Sequence, residues 1–213
     1  MNGPDLPEGH RPVPTGCIAA VVTWLELDRP PPPERPRWPR GVGLERATAP
    51  DPARYRRLFV EIGRDWLWFG RLRLAPEALA RLLADPRLEI GIVRHEGRDI
   101  GLVELDFRPG SEAELAYFGF VRSWIGRGLG GAAMRWALAR AFARPIRRLV
   151  VRTCTLDHPD ALAFYRRFGF RPWMRTVEIA PDPRLVGLLP RDAAPQVPIL
   201  APAADHPSGS SPP

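Results

Sequence analysis

The chain has 213 residues, of which 45% are hydrophobic, so it is long enough to bury one core and a few additions. Its 31 basic residues are all arginines, scattered along a chain of net charge +7. Scattered arginines do not build the basic stripe of a nucleic-acid-binding protein, although a basic groove suits an anionic ligand. The lack of lysine excludes acetylation of the protein's own lysine side chains.

Two cysteines, Cys17 and Cys154, are too few for a disulfide framework or a zinc site. The apolar run at residues 17–25 is too short to span a bilayer, and the acidic residues before it do not fit a signal peptide. We therefore expect a cytoplasmic protein that binds no metal and no membrane, and an arginine-rich nucleic-acid-binding protein is the less favoured alternative.

Proline and small residues dominate both ends of the chain. Residues 1–16 are polar and rich in Pro and Gly, which predicts disorder. Residues 18–27 predict an extra N-terminal strand, and the four consecutive prolines that follow are typical of an extended linker. After Ile179 the chain loses aromatic residues, which predicts a disordered Pro-rich tail. The predicted organisation is an N-terminal extension at 1–41, a globular domain at 42–180 and a tail at 181–213.

Hydrophobic periodicity within the globular domain predicts strands and helices in alternation. A helix at 51–64 has apolar residues at helical spacing, with Asp51 as its N-cap and Pro52 in its first turn. Glu96-Gly97-Arg98 joins two strand-like segments as a hairpin. The fold class is α/β, a mixed and mostly antiparallel sheet flanked by helices, with strands at 43–47, 88–94, 99–107, 113–121, 148–155 and 173–179 and helices at 51–64, 76–84, 128–143 and 159–168.

A strand runs into a glycine-rich turn and directly into an apolar helix at residues 120–131. Glycines leave the backbone N–H groups bare, and the helix N-terminus is electropositive, so this turn suits a phosphate. Gly126, Gly128 and Gly131 also match the dinucleotide fingerprint G-x-G-x-x-G. A dinucleotide fold needs several further strand–helix units, however, and only one follows. The remaining alternative is a turn that merely packs a helix onto the sheet.

Two motifs in this order make the chain resemble the GNAT acetyltransferase superfamily. Residues 114–121 followed by Ile125-Gly126-Arg127-Gly128-Leu129-Gly130 are similar to its fourth strand and its pyrophosphate loop, R/Q-x-x-G-x-G/A. Residues 157–170 are similar to its N-x-x-A-x-x-F-Y-x-x-x-G-F signature. The resemblance covers residues 42–179 and includes features of a bacterial branch. Ile125 stands where the superfamily has Arg or Gln, and Asp157 stands where it has Asn.

The resemblance implies an acyl-CoA acyltransferase fold and direct transfer of an acetyl group from acetyl-CoA to a primary amine. The acceptor would be a small molecule, an amino acid or a peptide, and the protein a monomer or a homodimer. A non-catalytic acyl-CoA-binding or regulatory module is the alternative, because Ile125 departs from the motif. The residues that the resemblance assigns to the cofactor are Phe120, Val121, Ile125, Gly126, Arg127, Gly128, Leu129, Gly130, Gly131, Asp157, Ala161 and Phe164.

Three residues are candidates for proton transfer. The resemblance places Tyr165 near the cofactor sulfur, and a phenol is protonated at neutral pH, so Tyr165 is the candidate acid unless it is only a core aromatic. Counting back from the loop without gaps places Glu114 where a histone-acetylating branch has its glutamate. Strand alternation puts Glu114 on one face with Phe118 and Phe120 unless a bulge intervenes. Glu104, within an apolar strand, is the other candidate base, and either glutamate is otherwise a surface charge.

Aromatic residues follow the first predicted helix, where the resembling family builds its acceptor pocket. Trp66 and Trp68 suit an apolar, aromatic or cationic acceptor, since a cation is attracted to the face of an indole ring. Arg64 and Asp65 would bind the polar end of the acceptor. The alternative is that these rings close the core.

Overall fold

The strands and helices follow one another in the predicted order. The computed structural model describes residues 8–32 and 34–202, and the described residues contain seven strands, four α-helices and two short 3₁₀ turns. The strands are β1 (Cys17–Leu27), β2 (Val42–Ala47), β3 (Leu88–His95), β4 (Arg98–Asp106), β5 (Glu112–Phe120), β6 (Arg148–Cys154) and β7 (Arg171–Pro181). The helices are α1 (Pro52–Gly63), α2 (Pro76–Leu83), α3 (Leu129–Ala141) and α4 (Ala161–Arg167).

Helix α1 begins as its sequence predicts. The Asp51 side chain accepts hydrogen bonds from the backbone N–H groups of Ala53 and Arg54, at 3.2 and 3.0 Å, and Pro52 occupies the first turn. These contacts satisfy donors that have no partner inside the helix. The predicted N-cap is therefore confirmed. The buried face of the helix consists of Tyr55, Leu58, Phe59, Ile62 and Gly63.

The turn between β3 and β4 confirms the predicted hairpin. Glu96 and Gly97 both have positive φ angles, 46° and 82°, and Arg98 pairs with His95 across the turn. Two consecutive left-handed residues give a two-residue turn the twist that antiparallel strands require. This hairpin fixes β3 and β4 side by side near the middle of the sheet.

All seven strands form one sheet in the order β2-β3-β4-β5-β6-β1-β7. The pair β5–β6 is parallel, and the other neighbouring pairs are antiparallel. The predicted N-terminal strand is present, but its assignment to an extension outside the domain needs correction. Residues 17–27 lie between β6 and β7 and contribute to the same sheet, because β1 hydrogen-bonds to both.

Each face of the sheet has its own hydrophobic core. Helices α3 and α4 cover one core, which includes Leu115, Met134 and Tyr165. Helices α1 and α2 cover the other, which includes Phe59 and Leu79.

The chain after β7 corrects the predicted unpacked tail. Leu189, Ala193 and Ala194 are buried in the core under α1 and α2. The guanidinium of Arg184 pairs with the Asp182 carboxylate at 2.7 Å, and both side chains are buried. Arg184 also donates to the carbonyl oxygens of Ala193, Ala194 and Val197, so the segment folds around it.

Some sequence predictions fall wholly or partly beyond the described residues. Residues 1–7 of the predicted disordered N-terminus, one residue of the proline run and residues 203–213 of the predicted tail lie outside them. Across the described ranges, no helix is long and apolar enough to cross a membrane. The same ranges contain no cluster of three or more His, Cys, Asp or Glu side chains suited to a metal ion.

Candidate active site

A cleft opens where the two parallel strands stop pairing. β5 and β6 pair from Glu112 opposite Arg148 to Leu115 opposite Val151. β5 continues to Phe120 and β6 to Cys154 without further pairing between them among the described residues. The cavity at this point has a volume of about 920 Å³. An extended ligand can therefore lie between the strands and meet the unpaired backbone of residues 116–120.

The first strand of the chain builds the far wall of this cleft. β1 pairs with β6 only from Val22 onward, so residues 17–21 extend past the end of β6. Ile18, Ala20 and Val22 line the cavity together with Glu178 and Ala180 of β7. The wall thus consists of segments that are more than 150 residues apart in the sequence.

A β-bulge in β5 changes which side chains face each side of the sheet. Tyr117 lies opposite Glu104 while Leu115 lies opposite Leu105, so Ala116 is the extra residue. Leu115 and Phe118 consequently share the face covered by α3 and α4, whereas Tyr117 faces α1. Glu114 alternates with Leu115 and lies on the opposite face from Phe118. Strand alternation without a bulge predicts that Glu114, Phe118 and Phe120 share one face. This prediction is therefore wrong.

The glycine turn before α3 is open and rich in free donors. Gly126 and Gly128 have φ angles of 79° and 78°, a region that favours glycine, and a Cβ at either would meet no atom within 4 Å. Among the described residues, no backbone hydrogen bond outside helices and strands is donated by residues 126–131. The first N–H groups of α3 have no partner inside the helix. This turn fits a diphosphate, since bare N–H groups and the helix dipole both favour an anion.

The side chains around the turn divide into two groups. Ile125 is 37% exposed and lines the cavity, as do Gly126, Gly128, Leu129, Gly130 and Gly131. Arg127 lies outside the lining; its Nε donates to the Ser123 carbonyl at 2.9 Å and its guanidinium lies 4.9 Å from the Trp124 ring centre. The turn therefore offers free N–H groups, and not the Arg127 guanidinium, to the cavity.

Phe120 and Val121 have different surroundings. Phe120 lines the cavity, whereas Val121 is buried outside it. The Val121 N–H donates to the Ile100 carbonyl at 2.9 Å, and its own carbonyl accepts from the Trp124 N–H at 2.7 Å. Because both backbone groups have partners, Val121 does not offer a free donor to a ligand. Of this pair, only Phe120 is positioned to meet one.

Tyr165 lies at the inner end of the cavity. Its ring packs against Phe118, Phe164 and Phe170, at centroid distances of 6.4, 5.6 and 5.9 Å. Its side chain lines the cavity, and its hydroxyl forms no hydrogen bond with any other described residue. Burial, and secondly the charge of Asp157, raises the pKa of the Tyr165 phenol. Tyr165 is therefore neutral at physiological pH and is suited to donate a proton.

Ala161 and Phe164 belong to the same helix and also line the cavity. The Phe164 ring stacks on Phe118 at a centroid distance of 5.5 Å, which closes the cleft on the α4 side. A Cβ on Gly130 would lie 3.1 Å from the Phe164 ring, so glycine at that position lets α3 and α4 approach each other.

Asp157 closes the end of β6. Its Oδ2 accepts hydrogen bonds from the Thr153 hydroxyl at 3.0 Å and from the Cys154 N–H at 2.8 Å. Its Oδ1 accepts from the Trp68 indole N–H at 3.4 Å. Burial, and secondly the Asp157 charge, raises the pKa of the Cys154 thiol to about 11, so this cavity-lining cysteine is not an activated nucleophile. Asp157 thus supports the cleft by orienting the Trp68 ring.

The aromatic residues after α1 form one wall of the cavity, and their polar neighbours do not. Trp66 and Trp68 line it, joined by Phe69 and Tyr117. Burial raises the pKa of the Tyr117 phenol to about 12. Arg64 instead pairs with Asp192 at 3.0 Å, and Asp65 pairs with Arg122 at 3.0 Å; neither Arg64 nor Asp65 lines the cavity. Two of the four expected acceptor residues are thus brought to the site.

Both candidate glutamates are engaged by arginines. Glu104 is fully buried, accepts from the Tyr55 hydroxyl at 2.5 Å, and pairs with the Arg71 guanidinium. Glu114 pairs with the Arg152 guanidinium at 2.6 Å. Neither glutamate lines the cavity, whereas Arg71 and Arg152 both do. The two carboxylates therefore orient arginines in the cavity wall.

Sequence reasoning missed several wall residues, namely Ile18, Ala20, Val22, Arg71, Arg73, Arg152 and Glu178. β1 and β7 reach the site through the strand order, which no local pattern reveals. The pairing of Arg71 with Glu104 and of Arg152 with Glu114 joins residues that are more than 30 positions apart, and such pairs leave no periodic signal in the sequence. The even spacing of Glu178 and Ala180 on β7 is a signal that could have placed these two side chains on one face.

Comparisons with known proteins agree with this geometry. Residues 53–170, more than half of the chain, match the model of the acetyltransferase (GNAT) family. A GCN5-related N-acetyltransferase from Sphaerobacter thermophilus is structurally similar, with a TM-score of 0.58 and 20% identity over 81% of this chain and 53% of that one. A putative GNAT-family acetyltransferase from Novosphingobium aromaticivorans gives a TM-score of 0.56 and 20% identity over 81% and 70%.

A third similar structure, a GCN5-related N-acetyltransferase from Kribbella flavida, has a TM-score of 0.52 and 18% identity, covering 81% of this chain and 63% of that one. At such identities the likeness concerns the fold. The chain spans about half the length of the Sphaerobacter protein. No curated protein is similar enough in sequence to match.

Proposed function

Because the chain belongs to the acetyltransferase (GNAT) family, we propose that it transfers an acetyl group from acetyl-CoA directly to a primary amine. The acceptor would be a small molecule, an amino acid or a peptide. The observation that carries the proposal is the position of Tyr165 and the glycine turn on one cleft, which opens where β5 and β6 separate. The cytoplasm is the compartment that we infer, since both cysteines are free.

Binding would use backbone groups along the cleft. Acetyl-CoA would supply the activated thioester. The free N–H groups of the turn at residues 126–131 would hold its diphosphate, and the unpaired edge of β5 at residues 116–120 would pair with the amides of its pantetheine arm. Such an arrangement orients the thioester toward the inner end of the cavity, where Tyr165 lies.

Tyr165 is the residue that we propose as the acid. When the amine nitrogen bonds to the acetyl carbon, the carbon–sulfur bond breaks and the sulfur gains charge. The raised pKa of the Tyr165 phenol keeps its proton available for that sulfur across the physiological range. The ammonium form of the amine would lose one proton to water before its nitrogen attacks and a second one afterwards, and Tyr165 would regain its proton from the same water, because the cavity opens to solvent past exposed residues such as Ile125 and Arg73.

One observation favours a second candidate function. Ile125 exposes an apolar side chain at the entrance of the turn, where an arginine or glutamine would add polar contacts to the diphosphate. A non-catalytic acyl-CoA-binding or regulatory module would retain the cleft without turnover. The two functions differ in whether the free CoA thiol is released.

Two measurements test the proposal in sequence. Isothermal titration with acetyl-CoA is expected to give saturable binding with one site per chain, and an absence of binding would overturn both functions. Release of the CoA thiol across a panel of amines is then expected for the transferase. Binding without thiol release for any amine would instead support the acyl-CoA-binding module.

A further inference from the structure

One acidic side chain of the cavity lining has no hydrogen-bond or ion-pair partner among the described residues. Its lining includes the carboxylates of Asp157, Asp160 and Glu178. Asp157 accepts three hydrogen bonds at the end of β6, and Asp160 lies next to His158 at the start of α4. Glu178 forms no hydrogen bond or ion pair with another described residue. The Glu178 side chain is exposed, so water hydrates its carboxylate in the free protein and a cationic ligand can reach it.

Glu178 lies on the side of the sheet where the acceptor would bind. It pairs with Ala20 across β1 and alternates with Val177 and Ile179, which are exposed on the other face. Ala180, two residues on, packs into the core that includes Phe59 and the Trp68 ring. Strand alternation places Glu178 and Ala180 on the same face, so Glu178 faces the aromatic wall rather than the glycine turn.

Small neighbours leave room in front of the Glu178 carboxylate. Ala20 lies directly opposite it, and Ala180 follows it on the same face of β7. Both alanines also line the cavity. A ligand can therefore reach the carboxylate without displacing a bulky side chain.

The arginines of the facing wall do not use Glu178 as an ion-pair partner. Arg71 pairs with Glu104, and Arg152 pairs with Glu114. The third arginine of that wall, Arg73, lies over the Phe69 ring, with its guanidinium carbon 4.2 Å from the ring centre. A cationic ligand would meet the free carboxylate of Glu178 and the faces of Trp66 and Tyr117, which attract an ammonium group, whereas Arg71 and Arg152 are already paired with carboxylates.

We propose that Glu178 binds the ammonium group of the acceptor, and that the acceptor is a cationic amine on an apolar or aromatic body. The proposal rests on the proposed transferase function and narrows its substrate class. It replaces the sequence-based expectation that Arg64 and Asp65 bind the polar end, because those side chains pair with Asp192 and Arg122 instead. The aromatic wall then contacts the body of the acceptor.

Binding of two matched probes in the presence of CoA tests this role without needing turnover. 2-Phenylethylamine is cationic at pH 7.5, and 2-phenylethanol has the same shape without the charge. By isothermal titration, the wild-type protein should bind the amine at least about tenfold more tightly than the alcohol. Glu178→Gln should remove this preference while leaving the affinities for the alcohol and for CoA unchanged.

Glu61→Gln is the matched control, because it removes one carboxylate from the surface of α1, outside the cavity lining. It should retain the full preference for the amine. The proposal is overturned if the wild-type protein binds neither probe, if it shows no preference for the amine, or if Glu178→Gln keeps the preference. With an amine that is acetylated, Glu178→Gln should raise KM for the amine about tenfold and leave KM for acetyl-CoA unchanged. If no amine causes thiol release but the preference for the amine is present and depends on Glu178, the transferase function is refuted and the role of Glu178 in binding the amine is not.

Discussion

Individual residues set the chemistry of the cleft through backbone conformation and charge pairing. Gly126 and Gly128 adopt left-handed φ angles next to open space, and their N–H groups donate no backbone hydrogen bond among the described residues outside helices and strands. Glu104 and Glu114 are each paired with an arginine that lines the cavity. Free donors and oriented guanidinium groups therefore coexist in one cleft, whereas the carboxylates that orient them stay outside it.

Gly128→Asp tests the anion site directly. The new carboxylate would project into the open space beside the first N–H groups of α3 and repel a diphosphate. We expect the affinity for acetyl-CoA, measured by isothermal titration, to fall at least about a hundredfold, since like charges at such a distance cost several kcal/mol.

Gly128→Asn is the control for that variant, because asparagine has the same shape, carries no charge and tolerates the left-handed region. It should lose much less affinity than the aspartate variant. Equal losses in the two variants would mean that backbone strain, and not charge, determines the effect.

Tyr165→Phe tests the proposed acid. Removing the hydroxyl leaves the ring and its contacts with Phe118, Phe164 and Phe170 in place. Turnover with an accepted amine should fall about a hundredfold, while the affinity for acetyl-CoA changes little. A variant with wild-type turnover would remove Tyr165 from the mechanism and leave it as a core aromatic.

At the scale of elements, three features shape the cleft. β1 enters the sheet between β6 and β7 and extends past the end of β6, which gives the cleft its second wall. The Ala116 bulge shifts the alternation at the end of β5, so that Leu115 and Phe118 face the same core although they are three residues apart. The segment after β7 packs beside α1, where Asp192 pairs with Arg64 and the Gln196 side chain donates to the Asp65 carbonyl. This last segment thereby supports the turn that carries Trp66.

Leu189→Ala tests the packing of that segment. Leu189 is 4% exposed within the core under α1 and α2, so truncation should lower the free energy of unfolding by about 2–3 kcal/mol. Leu200→Ala makes the same chemical change at a side chain that is 66% exposed and should alter stability by less than about 0.5 kcal/mol. Urea unfolding of the two variants gives the comparison, and equal stabilities would show that the segment does not contribute to the core.

For the whole molecule, the three tyrosines predict how stability responds to alkaline pH. Burial raises the pKa of Tyr55 and of Tyr165, and it raises that of Tyr117 to about 12. A group whose folded pKa lies above its unfolded value stabilises the fold fully below the unfolded pKa, near 10, and loses that contribution as pH rises toward the folded pKa. Stability should therefore be level up to about pH 9 and fall above it.

Tyr117 alone accounts for about 2 kcal/mol of this loss between pH 9 and pH 11.5, given its pKa of about 12 in the folded state. Arginine side chains keep their charge over the same range, so they do not mask the effect. Urea unfolding at a series of pH values is the measurement. A free energy of unfolding that stays constant up to pH 11.5 would contradict the burial of the phenols.

The sequence by itself determined the features that depend on neighbouring residues. Asp51 caps α1, Glu96-Gly97 turns the hairpin, and the glycines at 126–131 open a helix N-terminus, because each effect acts within a few residues of the chain. The fold class and the family resemblance followed from the order of such local signals. The sequence also indicated Tyr165 as a candidate acid, a role that stays a prediction.

Only the tertiary structure decided which distant residues meet. The insertion of β1 between β6 and β7, the burial of Leu189 and the pairing of Glu104 with Arg71 join segments that are far apart in sequence. The Ala116 bulge depends on the register with β4, so strand alternation alone misplaced Glu114. Glu178 likewise lines the cavity because the strand order places β7 beside β1. Long-range pairing leaves no periodic trace in the chain, because its free energy comes from partners that the local sequence does not contain.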